Sequence, residues 1–123
     1  MKRLFILSAI LMLTFTSGMA QQISNVEEKG SWIYIYDETG KKINTQSASS
    51  VGRVVGWSAT FWISKKSSWY YLWTPKGRKY KTLSESTVGE VIGVSGNTFT
   101  SRKNGWIYTF DKDGKKINTR SSN

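Results

Sequence analysis

A period of 37 residues constrains this chain more than any other feature of it. Trp32, Trp69 and Trp106 are separated by that interval, and so are Gly40, Gly77 and Gly114. Tyr34/Tyr71/Tyr108, Lys42/Lys79/Lys116, Thr45/Thr82/Thr119 and Ser47/Ser84/Ser121 keep it without a gap. Residues 31–47 match residues 105–121 at 11 of 17 positions. Val51-Gly52-x-Val54-x-Gly56-x-Ser58 returns as Val88-Gly89-x-Val91-x-Gly93-x-Ser95. Such a chain builds one supersecondary unit nearly three times and buries its core between copies.

Each unit reads as β. Residues 21–123 hold only two Ala and two Leu but many Val, Ile, Thr, Trp and Tyr, the types that fit a pleated surface. The pattern predicts a strand over 32–37, a turn at Glu38-Thr39-Gly40 and a return strand over 41–45. A Ser-rich loop over 46–50, a third strand over 51–57 and a fourth over 60–64 complete the unit. Asn104-Gly105 adds a strong hairpin signal before the last unit. Residues 23–28 align with a fourth strand and residues 106–119 supply only the first two. A ring closed by the two termini would complete the third unit and hide its edges. The expectation is therefore an all-β domain of three 37-residue pseudo-repeats with threefold, β-trefoil-like closure. Propeller-blade-like sheets, or an antiparallel barrel or meander, are the alternatives.

The first twenty residues look like an address. Lys2 and Arg3 precede an apolar run from Leu4 to Phe15, and Gly18 and Ala20 suit a signal peptidase. The apolar run falls short of the ~20 residues a spanning helix needs. Residues 1–20 are read as a signal peptide and residues 21–123 as one repeat domain, periplasmic or extracellular. That domain keeps 16 basic and 8 acidic residues, a net +8 on 103 residues.

Period-2 alternation sorts each strand onto two faces. One face of the first strand of every unit is aromatic: Trp32, Tyr34, Tyr36; Trp69, Tyr71, Trp73; Trp106, Tyr108, Phe110. These rings fill a core poor in Leu, or they stack on sugars or bases. Trp57, Trp62 and Trp73 break the repeat and so are candidates for a specialised surface. Lys41-Lys42, Arg78-Lys79 and Lys115-Lys116 follow the turn glycine, while Lys65-Lys66 and Arg102-Lys103 precede the repeated Trp. In a closed ring they form two sets of positive charge around the axis, suited to polyanions. The candidate binding residues are Trp32, Tyr34, Trp69, Tyr71, Trp106, Tyr108, Lys42, Lys79 and Lys116.

Catalytic chemistry finds little footing. There is no Cys and no His, which excludes disulfides, Cys/His metal sites and triads that need either residue. Asp111-Lys112-Asp113-Gly114 starts like a calcium loop but lacks the later carboxylates and the closing Glu. Asp37 and Asp111 read as turn formers. Most of the eight acids lie in predicted turns or near a terminus; Glu90, within a strand, is the exception, and one acid does not make a glycosidase. No catalytic residue, metal or cofactor is expected.

The segments Trp69-Tyr70-Tyr71-Leu72…Gly77…Lys81-Thr82 and Trp106-Ile107-Tyr108…Phe110-Asp111-x-x-Gly114-Lys115 resemble two repeat families. One is the choline- and glucan-binding cell-wall repeat of Gram-positive surface proteins; the other is the WG-type β repeat. The cell-wall repeat is shorter than this unit, and the WG repeat places Gly after Trp where Gly105 here precedes Trp106. The cell-wall resemblance implies ring binding at Trp69, Tyr71, Trp106 and Tyr108. The sequence reading is thus a secreted, non-enzymatic binding module for an anionic or glycan-rich cell-envelope component. A protein-interaction role of the immunity or inhibitor kind, with a protein partner, and nucleic-acid binding are the alternatives.

Overall fold

The computed structural model describes residues 22–122; the signal-peptide reading lies outside them. Eleven strands form three antiparallel meanders. The first sheet holds β1 (Ile23–Lys29), β2 (Trp32–Asp37) and β3 (Lys42–Ser47). The middle sheet holds β4 (Arg53–Trp57), β5 (Trp62–Lys66), β6 (Trp69–Trp73) and β7 (Lys79–Ser84). The third holds β8 (Glu90–Ser95), β9 (Thr98–Lys103), β10 (Trp106–Asp111) and β11 (Lys116–Ser121).

The all-β, antiparallel, repeated reading therefore stands, but threefold trefoil-like closure is not found among the described residues. No sheet closes into a barrel, and β11 pairs with β10 while β1 pairs with β2. The unit begins one hairpin later than the Trp spacing suggested. Each complete sheet runs from the Val-Gly strand through the aromatic hairpin, as a separate four-stranded meander.

The linker was also misread. Residues 48–51 were expected to be loop and then strand; instead Ala48–Val51 forms one helical turn, α1, and Glu85–Val88 forms its equivalent, α2. Serines start these turns, and Ser84 accepts a bond from the Ser86 amide. Each turn swings the chain from the outer edge of one sheet to the first strand of the next. Val51 and Val88 plug the seam beneath it. The glycine that follows has no substitute. Gly52 has φ of +91°, and a Cβ there would lie 2.1 Å from the Lys65 carbonyl oxygen.

The sheets stack face to face. Ile23, Ile33 and Ile35 of the first sheet pack with Val51 against Trp62 and Trp73 of the middle one. The other face of the middle sheet carries Phe61, Ile63, Tyr70 and Leu72, which pack with Val88 against Val91, Phe99 and Phe110. Cross-strand pairing sets this division: Trp62 lies opposite Trp73, and Ile63 opposite Leu72. The indole donors in these seams are satisfied. Trp73 Nε1 donates to Ser64 Oγ at 2.9 Å, and Trp62 Nε1 donates to the Thr74 carbonyl at 3.2 Å. Across the second seam the Val91 amide donates to the Tyr70 hydroxyl at 3.1 Å.

The hairpin turns follow one recipe. The Asp37 carboxylate accepts from the Thr39 hydroxyl (2.7 Å) and from the amides of Thr39 and Lys41 (2.9 and 3.0 Å). Asp111 accepts from the amides of Asp113 and Lys115, and Thr74 Oγ1 replaces the carboxylate in the middle unit by accepting from Arg78. Both aspartates are turn formers.

Two stability outcomes follow. Gly30 also has positive φ, +61°, but open space around its Cβ position. Gly30→Ala should cost about 1 kcal/mol, the left-handed strain alone, whereas Gly52→Ala should cost clearly more in urea denaturation; equal losses would contradict the close approach to Lys65. For Asp37, the Thr39 hydroxyl bond is the main cause that holds its carboxyl below the ordinary range. A folded-state value below the unfolded one stabilises above the unfolded pKa of about 3.9, and the contribution disappears as pH falls through the folded value. Asp37→Asn should therefore be less stable than the parent at neutral pH, with the gap narrowing below about pH 4. A gap independent of pH would show that the charge contributes nothing.

Candidate functional site

All nine candidate residues lie on the three equivalent hairpins β2–β3, β6–β7 and β10–β11. Within each hairpin they form a row of Trp, Tyr and Lys on one face. Period 2 aligns Trp and Tyr on that face. A bulge beside Tyr36, Trp73 and Phe110 then brings Lys42, Lys79 and Lys116 opposite those rings. From there each ammonium reaches back over the tyrosine. Lys42 Nζ lies 4.2 Å from the Tyr34 ring centre, Lys79 Nζ 4.5 Å from that of Tyr71, and Lys116 Nζ 4.1 Å from that of Tyr108. Such a contact is worth about 0.5–1 kcal/mol at an exposed site. It orients the ammonium and leaves it charged.

The tyrosines are half-buried and the lysines exposed. Tyr71 meets Trp73 edge-on at 6.3 Å, and Tyr108 meets Phe110 in the same way. Core rings thus seat the tyrosines that seat the lysines. At the far end of each row Trp32, Trp69 and Trp106 are 49%, 47% and 47% exposed. Each lies opposite a serine on one neighbouring strand (Ser47, Ser84, Ser121) and a lysine on the other (Lys29, Lys66, Lys103). Lys29 was missed in the sequence reading. Its signal was present, because it stands 37 residues before Lys66.

The lysine sets do not encircle an axis. The set that follows the turn glycine runs along the outer hairpin strands β3, β7 and β11, which stack in that order, whereas Lys65-Lys66 and Arg102-Lys103 lie at the ends of the inner strands β5 and β9. Gly77, in the β6–β7 turn, sits against Asn44 of β3, and its carbonyl accepts from Gln46 Nε2 at 3.4 Å. Gly114, in the β10–β11 turn, sits beside Leu83 and Lys81 of β7. The Tyr80 hydroxyl donates to the Lys112 carbonyl at 2.6 Å, and burial pushes its pKa up. Each sheet thus contributes one Lys–Tyr rung, and these turn contacts offset successive sheets along the strand direction.

The rings that break the repeat belong to the core. Trp62 is 0% and Trp73 8% exposed, and they stack with centres 5.1 Å apart. Trp57 is partly buried against the same cluster. A specialised surface made of these three rings is not available. Glu90 is exposed and lies opposite Arg102, as a cross-strand charge. Lys65 and Glu85 form an ion pair at 2.7 Å, and that hydrogen bond is the main cause raising the Lys65 pKa.

Among the described residues no three carboxylates gather as metal ligands, and no helix is long and apolar enough to cross a membrane. Comparison with protein-family models, curated proteins and solved structures finds no match to this chain.

The exposure pattern sets an optical test. Replacing Trp32, Trp69 and Trp106 together by Phe should remove most of the acrylamide-quenchable fluorescence. The emission of Trp62 and Trp73 should remain blue-shifted and protected. Undiminished quenching would place the exposed indoles elsewhere.

Proposed function

We propose that this chain is a secreted, non-enzymatic binding module for an anionic, glycan-rich component of a cell envelope. The observation that supports this reading is the threefold presentation of one half-exposed tryptophan and one ring-held lysine at the same register. A core-filling role does not require the outermost ring of each row to face solvent three times. An indole face stacks on the apolar face of a sugar ring, and the ammonium attracts its acidic substituent. The net +8 of residues 21–123 favours the same ligand class. The hairpin resemblance to cell-wall-binding repeats points in the same direction, with Trp69, Tyr71, Trp106 and Tyr108 as its ring-binding positions.

The test is binding of the protein to anionic and neutral envelope polysaccharides at two salt concentrations. Selective binding to the acidic members should weaken with salt. It should fall by at least about tenfold in Lys42/Lys79/Lys116→Ala, the loss of roughly 1.4 kcal/mol. Replacement of the three half-exposed tryptophans by Ala should weaken neutral and acidic ligands alike. Absence of binding to every polysaccharide would overturn the reading and leave the lysines as solubilising groups.

A further inference from the structure

The middle and third sheets bury the face that carries their rings, and the first sheet leaves the equivalent face open. Tyr71 and Tyr108 pack against the core clusters of the two seams, where Trp73 and Phe110 are buried. Their equivalents Tyr34 and Tyr36 belong to neither cluster. With Trp32 they form a row down β2, on the face opposite Ile33 and Ile35. Asn25 and Glu27 stand where Trp62 and Ser64 are buried one period later, so this face has been made partly polar. All three rings of the row are nevertheless kept. The far face of the third sheet meets water with Thr98, Thr100, Thr109 and Arg120 and with no ring. An outer face that only ends the stack therefore does not require rings.

Charge restricts what can lie on this face. Glu27 lies opposite Tyr34, and its carboxylate accepts from the Tyr36 hydroxyl at 3.2 Å. Lys42, on β3, holds its ammonium 4.2 Å from the Tyr34 ring centre. The central ring is thus flanked by an acceptor and a donor, while Trp32 and Tyr36 on either side of it remain partly exposed. Resting on the binding-module reading, we infer that the open face of the first sheet is a site for uncharged sugar rings, distinct in specificity from the other two hairpins. Sugar rings stack on Trp32 and Tyr36, and hydroxyls of the same glycan meet the Glu27 carboxylate and the Lys42 ammonium. An acidic sugar in the same place would set its carboxylate against Glu27, a like-charge contact that disfavours it. The middle and third sheets hold Ser64 and Ser101 at the position of Glu27, so this discrimination belongs to the first sheet alone. Lys79 and Lys116, whose strands contain no acid, are left as the positions for acidic groups.

Cellohexaose and chitohexaose are suitable probes, since both are linear and uncharged and differ only in the substituent at one carbon of each ring. Titration calorimetry on the full protein should give one site per chain, with an affinity that does not change between low and high salt. Trp32→Ala and Tyr36→Ala should each weaken it by about tenfold, the loss of one stacked ring, and Trp106→Ala should weaken it clearly less. Glu27→Gln keeps the size of the side chain and removes its charge. It should weaken the neutral probes and strengthen binding of an oligogalacturonate, an acidic counterpart. A retained cooperative melting transition confirms each variant's fold. Equal losses in Trp32→Ala and Trp106→Ala, or three sites per chain, would overturn the inference and leave the binding-module reading intact. Failure of both neutral probes while acidic polysaccharides still bind would do the same. A concentration-dependent dimer that Trp32→Ala abolishes would overturn it by assigning the face to a second copy of the chain. Failure of every polysaccharide, neutral and acidic, would end both the inference and the reading beneath it.

Discussion

A pair of stacked rings beneath each seam is the contact on which this architecture depends. Trp62 and Trp73 lie 5.1 Å apart and nearly parallel, and they face the first sheet. One period later Phe99 and Phe110 lie 4.9 Å apart in the same arrangement and face the middle sheet. Each pair comes from two neighbouring strands of one sheet, so it fixes their register. It also offers a flat apolar surface to the isoleucines, or to the Phe61–Leu72 face, of the sheet before it. A chain with no disulfide and little leucine needs large rings at these points, because each buries 150–250 Å². Removing one would leave a cavity no neighbour could fill, at a cost of about 3–5 kcal/mol.

The same positions distinguish the two outer sheets of the described stack from the middle one. In the first sheet the ring pair becomes Asn25 and Tyr36, and Glu27 stands where the middle sheet has buried Ser64. The Tyr36 hydroxyl donates to Glu27 instead of entering a seam. On the far side of the third sheet Phe61, Ile63, Leu72 and Leu83 are replaced, one period on, by Thr98, Thr100, Thr109 and Arg120. Both ends are therefore wetted, as terminal repeats of a stacked array must be. Gly56 carries this logic into the backbone. A Cβ there would come within 2.7 Å of Val94 Cγ2, while the equivalent Gly93 has open space.

The repeat, the strands and the turn chemistry were legible because each is written in residues that recur. The 37-residue interval located the three hairpins, and Asp37 and Asp111 announced their turns. The phase of the sheets, their separation and the short helices were not legible. Those features depend on which residues differ between copies. Trp62 and Trp73 were read as candidates for a specialised surface because they depart from their equivalents. Physically they depart because the first sheet has no sheet stacked on that face and holds Asn25 and Tyr36 there, while the third sheet fills the same places with the smaller rings Phe99 and Phe110. Val51 belonged to an apolar alternation that suggested strand. The serines before it and the positive φ demanded at Gly52 gave a helical turn instead. The site residues were legible individually, since all nine recur. Their alignment into a ladder was not, because it requires knowing that the sheets stack rather than close.

The unmatched positive charge of the ladder follows from how the acids are used. Asp37 and Asp111 are held by turn amides, and Glu85 pairs with Lys65. Glu28 accepts from the Val54 amide and Glu27 from Tyr36. Glu90 lies across from Arg102. The fold thus directs its few carboxylates to turns, the linker helix and the opposite-edge strands β1 and β8, away from β3, β7 and β11. Lys42, Lys79 and Lys116 on those outer strands have tyrosine rings as partners. A ring orients an ammonium without neutralising it, whereas a carboxylate in the same place would have satisfied the charge internally. Cationic outer edges also deter strand-to-strand aggregation, but that role needs only charge and is indifferent to where the ammonium points. Fixing the ammonium over a ring at the same place in every sheet is a constraint that protection of an edge does not impose.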